Sequence, residues 1–311
     1  MIDRLWKLAA QFQRPLWAAL CCAMVWAAPV RADYRDSIAV LRIGLVETHV
    51  AATDPVKLEA IQRAFSEALG ISVDIIKLGS YAALIDAHAS GRVGYAIHSA
   101  RSFAATEAAC GCVRAFRSPV AADGSTGFRS VLVARDSAVR PVGELNIGYS
   151  SEASVSGWQI PHQAIRAGSL AMPKLIRAGS VGSVIELYQA GEIDGFFGWI
   201  PDVPGDAGSD PGRLFGGWNQ ALIETAEPLR IIWSSQRIPY GPHAANRSLP
   251  DDLVEALGRF LDEMAVSAPG LLDIFEPLYG GGYVRPDPED YRNLRGLVEA
   301  QSVRKSAARK P

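Results

Sequence analysis

Two hydroxyls and a guanidinium gather in the run His98-Ser99-Ala100-Arg101-Ser102-Phe103, where an apolar stretch gives way to a helix-forming one. At a helix start, Ser99 and Ser102 offer hydrogen bonds to an oxyanion beside free backbone N–H groups, and Arg101 offers two parallel bonds to a carboxylate, sulfonate or phosphonate. On the outer face of the helix the same arginine would meet only water. Arg129 and Ser130 pair a cation with a hydroxyl at the opening of another apolar run. His98 reads as a packing residue. A different chemistry is open to Tyr81, Phe103, Trp158, Trp199 and Tyr240, which together would wall an aromatic cleft, with Asp202 to balance a cation.

Catalytic patterns are missing. The chain contains no Gly-x-Ser-x-Gly elbow, no His-Glu-x-x-His, no phosphate loop and no Gly-x-Gly-x-x-Gly after a strand. His49, His88, His98, His162 and His243 are scattered singly, without zinc spacing. A protein that is not an enzyme, with no metal and no cofactor, is therefore expected. Cys110 and Cys112 flank Gly111 and admit three states: a tight local disulfide, two thiols, or a metal or redox site.

Charge narrows the partners. The 311 residues carry a formal charge of −2, yet residues 1–32 hold Arg4, Lys7, Arg14 and Arg31 against Asp3 alone. The rest of the chain is thus mildly acidic, which argues against nucleic acid and against anionic membrane surfaces. The basic start, the apolar run Leu16–Ala28 and Val30-Arg31-Ala32 have the form of a signal peptide, cut after Ala32. That run has roughly thirteen residues, short of the ~20 a bilayer span needs. The mature protein should be soluble, exported to a bacterial periplasm and monomeric, without membrane insertion.

From Ile38 onward, helix and strand patterns alternate, as in an α/β sheet protein. Ile38–Val46 reads as a strand. Asp54-Pro55 starts a helix whose face is Leu58, Ile61, Phe65 and Leu69, and Gly70 closes it. Strand Ile71–Leu78, a helix capped by Ser80, strand Val93–Ile97 and a helix from Ser99 or Ala100 follow. Val113–Val120 and Phe128–Ala134 read as strands joined by the turn Ala122-Asp123-Gly124-Ser125. The grammar then repeats: strand Asn146–Tyr149, a helix from about Ser154, strand Lys174–Arg177, helix Val181–Ala190 and strand Ile193–Phe197. A Gly/Pro/Asp loop, Pro201–Gly217, precedes strand Leu229–Trp233, and the tail is helical up to Gly280-Gly281-Gly282. Two similar α/β lobes suggest a clamshell around a small molecule, with helix N-termini at the crevice favouring an anion.

Several segments, taken in order, resemble the PhnD-type periplasmic binding proteins of ABC importers for phosphonate, phosphite and phosphate. They are Tyr81-Ala82-Ala83-Leu84, Gly127-Phe128-Arg129-Ser130-Val131-Leu132-Val133, Ala153-Ser154-Val155-Ser156-Gly157-Trp158, Ala178-Gly179-Ser180, Ala190-Gly191-Glu192-Ile193-Asp194-Gly195 and the run from Leu229 to Pro250. The resemblance implies a two-lobe type II binding-protein fold, each lobe a small mixed sheet flanked by helices. Lobe 1 would be residues 33–135 and 237–287, lobe 2 residues 136–236, and 288–311 a C-terminal helix and frayed tail. It also implies that Tyr81 touches the anionic group and that Ser154 and Ser156 hold it at a helix start, with Val155 replacing a threonine. Val181 stands where relatives often place a histidine, and Trp199 where they often place an acid. The implied partners are a small solute and an ABC permease with its ATPase, or alternatively a membrane sensor kinase.

Overall fold

The computed structural model describes residues 33–47, 49–152, 154–203, 229–292 and 294. The expected signal peptide, its cut after Ala32 and most of the loop Pro201–Gly217 lie outside the described residues.

The first lobe opens with α1 (Tyr34–Ser37), pinned by the buried Tyr34 hydroxyl, which donates to the Leu69 carbonyl at 2.7 Å. Strand β1 (Val40–Val46) leads to α2 (Val50–Thr53) and α3 (Pro55–Leu69). Helix α3 starts where the Asp54 carboxylate accepts from the N–H groups of Val56 and Lys57, and it stops at Gly70 in the left-handed region. Next come β2 (Ser72–Leu78), α4 (Tyr81–Ala89), β3 (Tyr95–Ile97), α5 (Ala100–Cys110) and β4 (Val113–Pro119). Cys110, the last residue of α5, forms a disulfide with Cys112, the local bridge among the three states.

The second lobe holds β5 (Gly127–Arg135), β6 (Asn146–Tyr149), a π-helical turn Val155–Gln159 running into α6 (Ile160–Arg166), β7 (Lys174–Arg177), α7 (Val181–Gln189), β8 (Gly195–Pro201), β9 (Leu229–Ser234) and β10 (Ile238–Pro239). The chain then returns to the first lobe through β11 (His243–Asn246), α8 (Asp251–Ser267), α9 (Pro269–Phe275) and β12 (Tyr283–Val284). The first sheet runs β12-β4-β11-β3-β1-β2, with β1 parallel to β2 and β3. The second runs β10-β5-β8-β6-β7, with β9 also on β5. Both are mixed sheets flanked by helices, the type II periplasmic binding fold expected.

Three expectations need correction. Residues 127–135 do not belong to lobe 1, because β5 pairs with β8, β9 and β10 in the second sheet. Its Ser130–Ala134 stretch is buried on both faces, as a central strand requires. For the same reason β4 and β5 are not a hairpin: β4 pairs with β11 and β12 instead. The chain therefore leaves lobe 1 within residues 120–126 and returns within 240–242. Finally, where 288–311 was expected to be a C-terminal helix and frayed tail, residues 288–291 form only a 3₁₀ helix that belongs to the packed body, since Tyr291 is fully buried and donates to the Tyr240 carbonyl at 3.0 Å.

The first lobe's core centres on Phe65, whose ring meets Phe260 at 4.7 Å, Phe275 at 5.5 Å and Tyr95 at 6.0 Å between centroids. Three elements thus depend on one side chain of α3. Phe65→Ala should lower the unfolding free energy by about 3–5 kcal/mol in urea titration; a loss below about 1 kcal/mol would show that the core does not converge there.

Candidate functional site

Two stretches of backbone join the lobes, and they run in contact. Ile238 and Pro239 pair with Phe128 and Gly127, so that a Cβ added at Gly127 would lie 2.4 Å from the Ile238 carbonyl oxygen. A Cβ at Gly241 would lie 1.9 Å from the carbonyl oxygen of His98. Only glycine permits both approaches. Charge reinforces them: Asp202 accepts from Arg129 Nε at 2.6 Å and pairs with Arg237 at 3.2 Å, and Arg237 reaches on to Asp290 at 2.6 Å.

Beside this crossing the seam is packed. Phe103 of α5, Ile160 of α6, Ile238 of β10 and Tyr291 share one apolar cluster, and Arg101 donates to the Gln159 side chain at 2.5 Å across it. On the other side it opens into a cavity of about 740 Å³, within the size range of small-molecule sites. The second lobe contributes Phe128, Ser156, Trp199 and Pro201. The crossing contributes Asp123, Ser125 and Tyr240, and the first lobe Leu278 and Tyr279. Phe128 meets Trp199 edge-on at 5.5 Å, and Tyr240 lies 4.8 Å from Tyr279.

Leu278 and Tyr279 also border a second, smaller cavity of about 210 Å³ within the first lobe. It is walled by Val46 and His49 after β1, Tyr81 at the start of α4, Ile97 and His98 at the end of β3, and Gly241, Glu276 and Pro277. These are the carboxyl ends of parallel strands, where open α/β sheets place ligands. No Arg or Lys lines either cavity among the described residues.

The expected site residues divide accordingly. Ser156 and Trp199 line the larger cavity and Tyr81 the smaller. Ser154 caps the π-helical turn by accepting from Gly157 N–H at 3.0 Å, and Ser130, fully buried, donates to the Ser156 carbonyl at 2.6 Å. Both therefore position Ser156. Val155 is half exposed on that turn, and Val181 heads α7 away from both cavity walls. Ser99 caps α5 by accepting from Ser102 N–H at 3.1 Å, while buried Ser102 donates back to the Ser99 carbonyl. Arg101 and Arg129 are engaged by Gln159 and Asp202 and line neither cavity. Of the five aromatics read as a cleft wall, Trp199 and Tyr240 line the larger cavity. Phe103 packs on Tyr291, and Trp158 stacks on Tyr149 at 4.3 Å. Asp202 is bound by the two arginines instead of facing the cleft.

Sequence reasoning missed Phe128, Asp123, Glu276 and Tyr279. Phe128 alone carried a signal, as the aromatic opening a strand at the lobe crossing. Glu276 and Tyr279 sit in an irregular run after α9, where no periodicity marks which side chains turn inward.

His98 brings a buried imidazole pair to the smaller cavity. His88 Nδ1 lies 2.9 Å from His98 Nε2, the rings stack at 5.2 Å, and His98 Nδ1 meets Ser102 Oγ at 3.1 Å. Burial pushes His88 down to about 4 and His98 well below its ordinary value.

Residues 51–291 match the family described as the phosphonate periplasmic substrate-binding protein of ABC transporters. No curated protein matches the chain. Among solved structures, XAC2383 from Xanthomonas citri bound to ATP superposes with a TM-score of 0.59 at 17% identity, covering 86% of this chain and 99% of that one. PhnD1 from Prochlorococcus marinus in complex with methylphosphonate gives 0.51 at 15% identity, with 85% and 98% covered. Mh-p37 of Mycoplasma hyorhinis gives 0.54 at 8% identity, with 83% and 99% covered. At such identities these likenesses show a shared fold.

The imidazole pair makes stability depend on pH. Both folded values lie below the unfolded 6.5, so the unfolded chain takes up protons that the folded pair refuses. The contribution is fully present above about 6.5 and is lost as pH falls toward about 4. Urea midpoints measured across that window should drop, and less steeply in His88→Leu; identical profiles for the two proteins would contradict this account.

Proposed function

The chain belongs to the family of phosphonate periplasmic substrate-binding proteins of ABC transporters, and from that membership we propose that its seam captures a small solute and delivers it to an ABC permease and ATPase. One observation carries the proposal: the 740 Å³ cavity takes its walls from both lobes and from the crossing between them. A ligand shifts an open/closed equilibrium only by contacts it makes better in one state. A solute seated between Trp199 and Tyr279 touches both lobes at once and so favours the closed form that a permease would read. The opposite side of the seam is already packed through Phe103, Ile160 and Tyr291, so it serves as the fixed edge about which the open side narrows.

Among the described residues no group of three or more His, Cys, Asp or Glu converges as a metal ion would need. No described helix is long and apolar enough to cross a membrane. With the basic, apolar leader removed after Ala32, the protein would work in the periplasm as a soluble carrier. An oxyanion of the phosphonate type would meet Ser156 and Ser125 on the cleft wall, beside Asp123, without a guanidinium or ammonium among the described residues. The walls instead favour a solute with an apolar or planar body.

The test is a calorimetric screen of the mature chain against small organic cations, neutral aromatics and phosphonates, followed by small-angle scattering of the hit. We expect a solute that compacts the protein, whose affinity falls at least about tenfold in Trp199→Ala, and whose uptake is lost in cells deleted for this chain. Binding that leaves the scattering profile unchanged and survives Trp199→Ala would contradict capture at the seam.

A further inference from the structure

We propose that the smaller cavity is a cation subsite: Glu276, with Tyr81 and Tyr279 around it, holds the ammonium head of the solute whose body lies in the larger cleft. The inference rests on the solute-binding reading of the seam and names the class of solute. Its basis is a carboxylate in an unusual setting. Glu276 is 6% exposed and lines the cavity, a placement that charged residues accept only when something compensates the charge.

Among the described residues, one side chain reaches that carboxylate. His243, fully buried, lies with Nδ1 2.5 Å from the Tyr95 hydroxyl and Nε2 3.1 Å from Glu276 Oε1. Burial raises the Tyr95 hydroxyl well above its ordinary range, so it keeps its proton. Glu276 Oε2 accepts no hydrogen bond from the described residues. Apart from His243, the described groups around the carboxylate supply no compensating charge. His49 after β1 and His98 after β3 are pushed toward the neutral form by burial. Both His98 nitrogens are taken up by His88 and Ser102. Tyr81 on α4, Tyr279, and Tyr283 on β12 are all raised by burial and by Glu276 itself, so they present neutral rings.

A carboxylate oxygen that opens to the cavity without a donor, facing tyrosine rings and, among the described residues, no arginine or lysine, matches an organic ammonium. The carboxylate supplies the counter-charge and the ring faces the quadrupole attraction. An oxyanion would meet repulsion there. Size agrees, because about 210 Å³ is below the roughly 300 Å³ at which whole-ligand pockets begin. The cavity suits a head group, and Leu278 and Tyr279 connect it to the 740 Å³ cleft that would take the rest.

The experiment is titration calorimetry on the mature chain with choline and tetramethylammonium as probes, 3,3-dimethylbutan-1-ol as the neutral isostere of choline, and methylphosphonate as the anion. We expect choline to bind at least about tenfold more tightly than its neutral isostere. Glu276→Gln, which keeps the acceptor for His243 and removes the charge, should weaken choline at least about tenfold. Tyr279→Phe should stay within about threefold, whereas Tyr279→Leu loses the ring and the affinity. Choline and its isostere binding alike, or choline not binding at all, would overturn the subsite. If methylphosphonate then binds and compacts the protein, the capture reading stands without it; if no probe or screened solute binds, both fall.

Discussion

Asp202 accepts from Arg129 and pairs with Arg237, and those two arginines lie on or beside the strands by which the chain leaves the first lobe and comes back. With Arg237 reaching on to Asp290, one ion-paired line fixes the end of β8, the start of β5, the return strand β10 and the turn that carries Tyr291. Hydrogen bonds to charged groups contribute about 1.5–3 kcal/mol each, less here because Arg129 remains a third exposed. The network also decides what the cleft can offer. An arginine that neutralises Asp202 is no longer available to an anion, and Arg101 is drawn to Gln159 by the packed side of the seam.

The seam therefore has two unlike sides. One is closed by Phe103, Ile160, Ile238 and Tyr291, and the other is lined by Phe128, Trp199, Tyr240 and Tyr279 around open space. Close backbone contacts at Gly127 and Gly241 hold the crossing strands in register at the boundary. That asymmetry is what a clamshell needs: a fixed edge and a mouth whose narrowing depends on what fills it.

Much of this was legible in the residue order. Asp54-Pro55 and Gly70 marked α3, Ser80, Ser99, Ser154 and Ser180 marked four helix starts, and the repeated strand and helix grammar pointed to two lobes. Each of those signals is local, carried by a cap or a turn. The lobe boundary at β5 was not legible, because Gly127–Arg135 is apolar whichever sheet receives it and strand partners are a long-range matter. The cavity walls were legible only in part for the same reason. Tyr81, Ser156 and Trp199 face the cavities, while Arg101 and Arg129 are consumed by partners 58 and 73 residues away. Glu276 was invisible, since its meaning comes from His243 and the cavity it borders rather than from Phe275-Glu276-Pro277.

Family membership places the chain among periplasmic substrate-binding proteins, while its cavities carry aromatic faces from two lobes and a buried carboxylate. A crystal structure of the mature chain grown with a bound organic ammonium tests this most directly. The account requires density spanning Trp199 and Tyr279 with the nitrogen against Glu276. Density for the solute elsewhere, or an oxyanion at the cleft coordinated by a released Arg101 or Arg129, would contradict it.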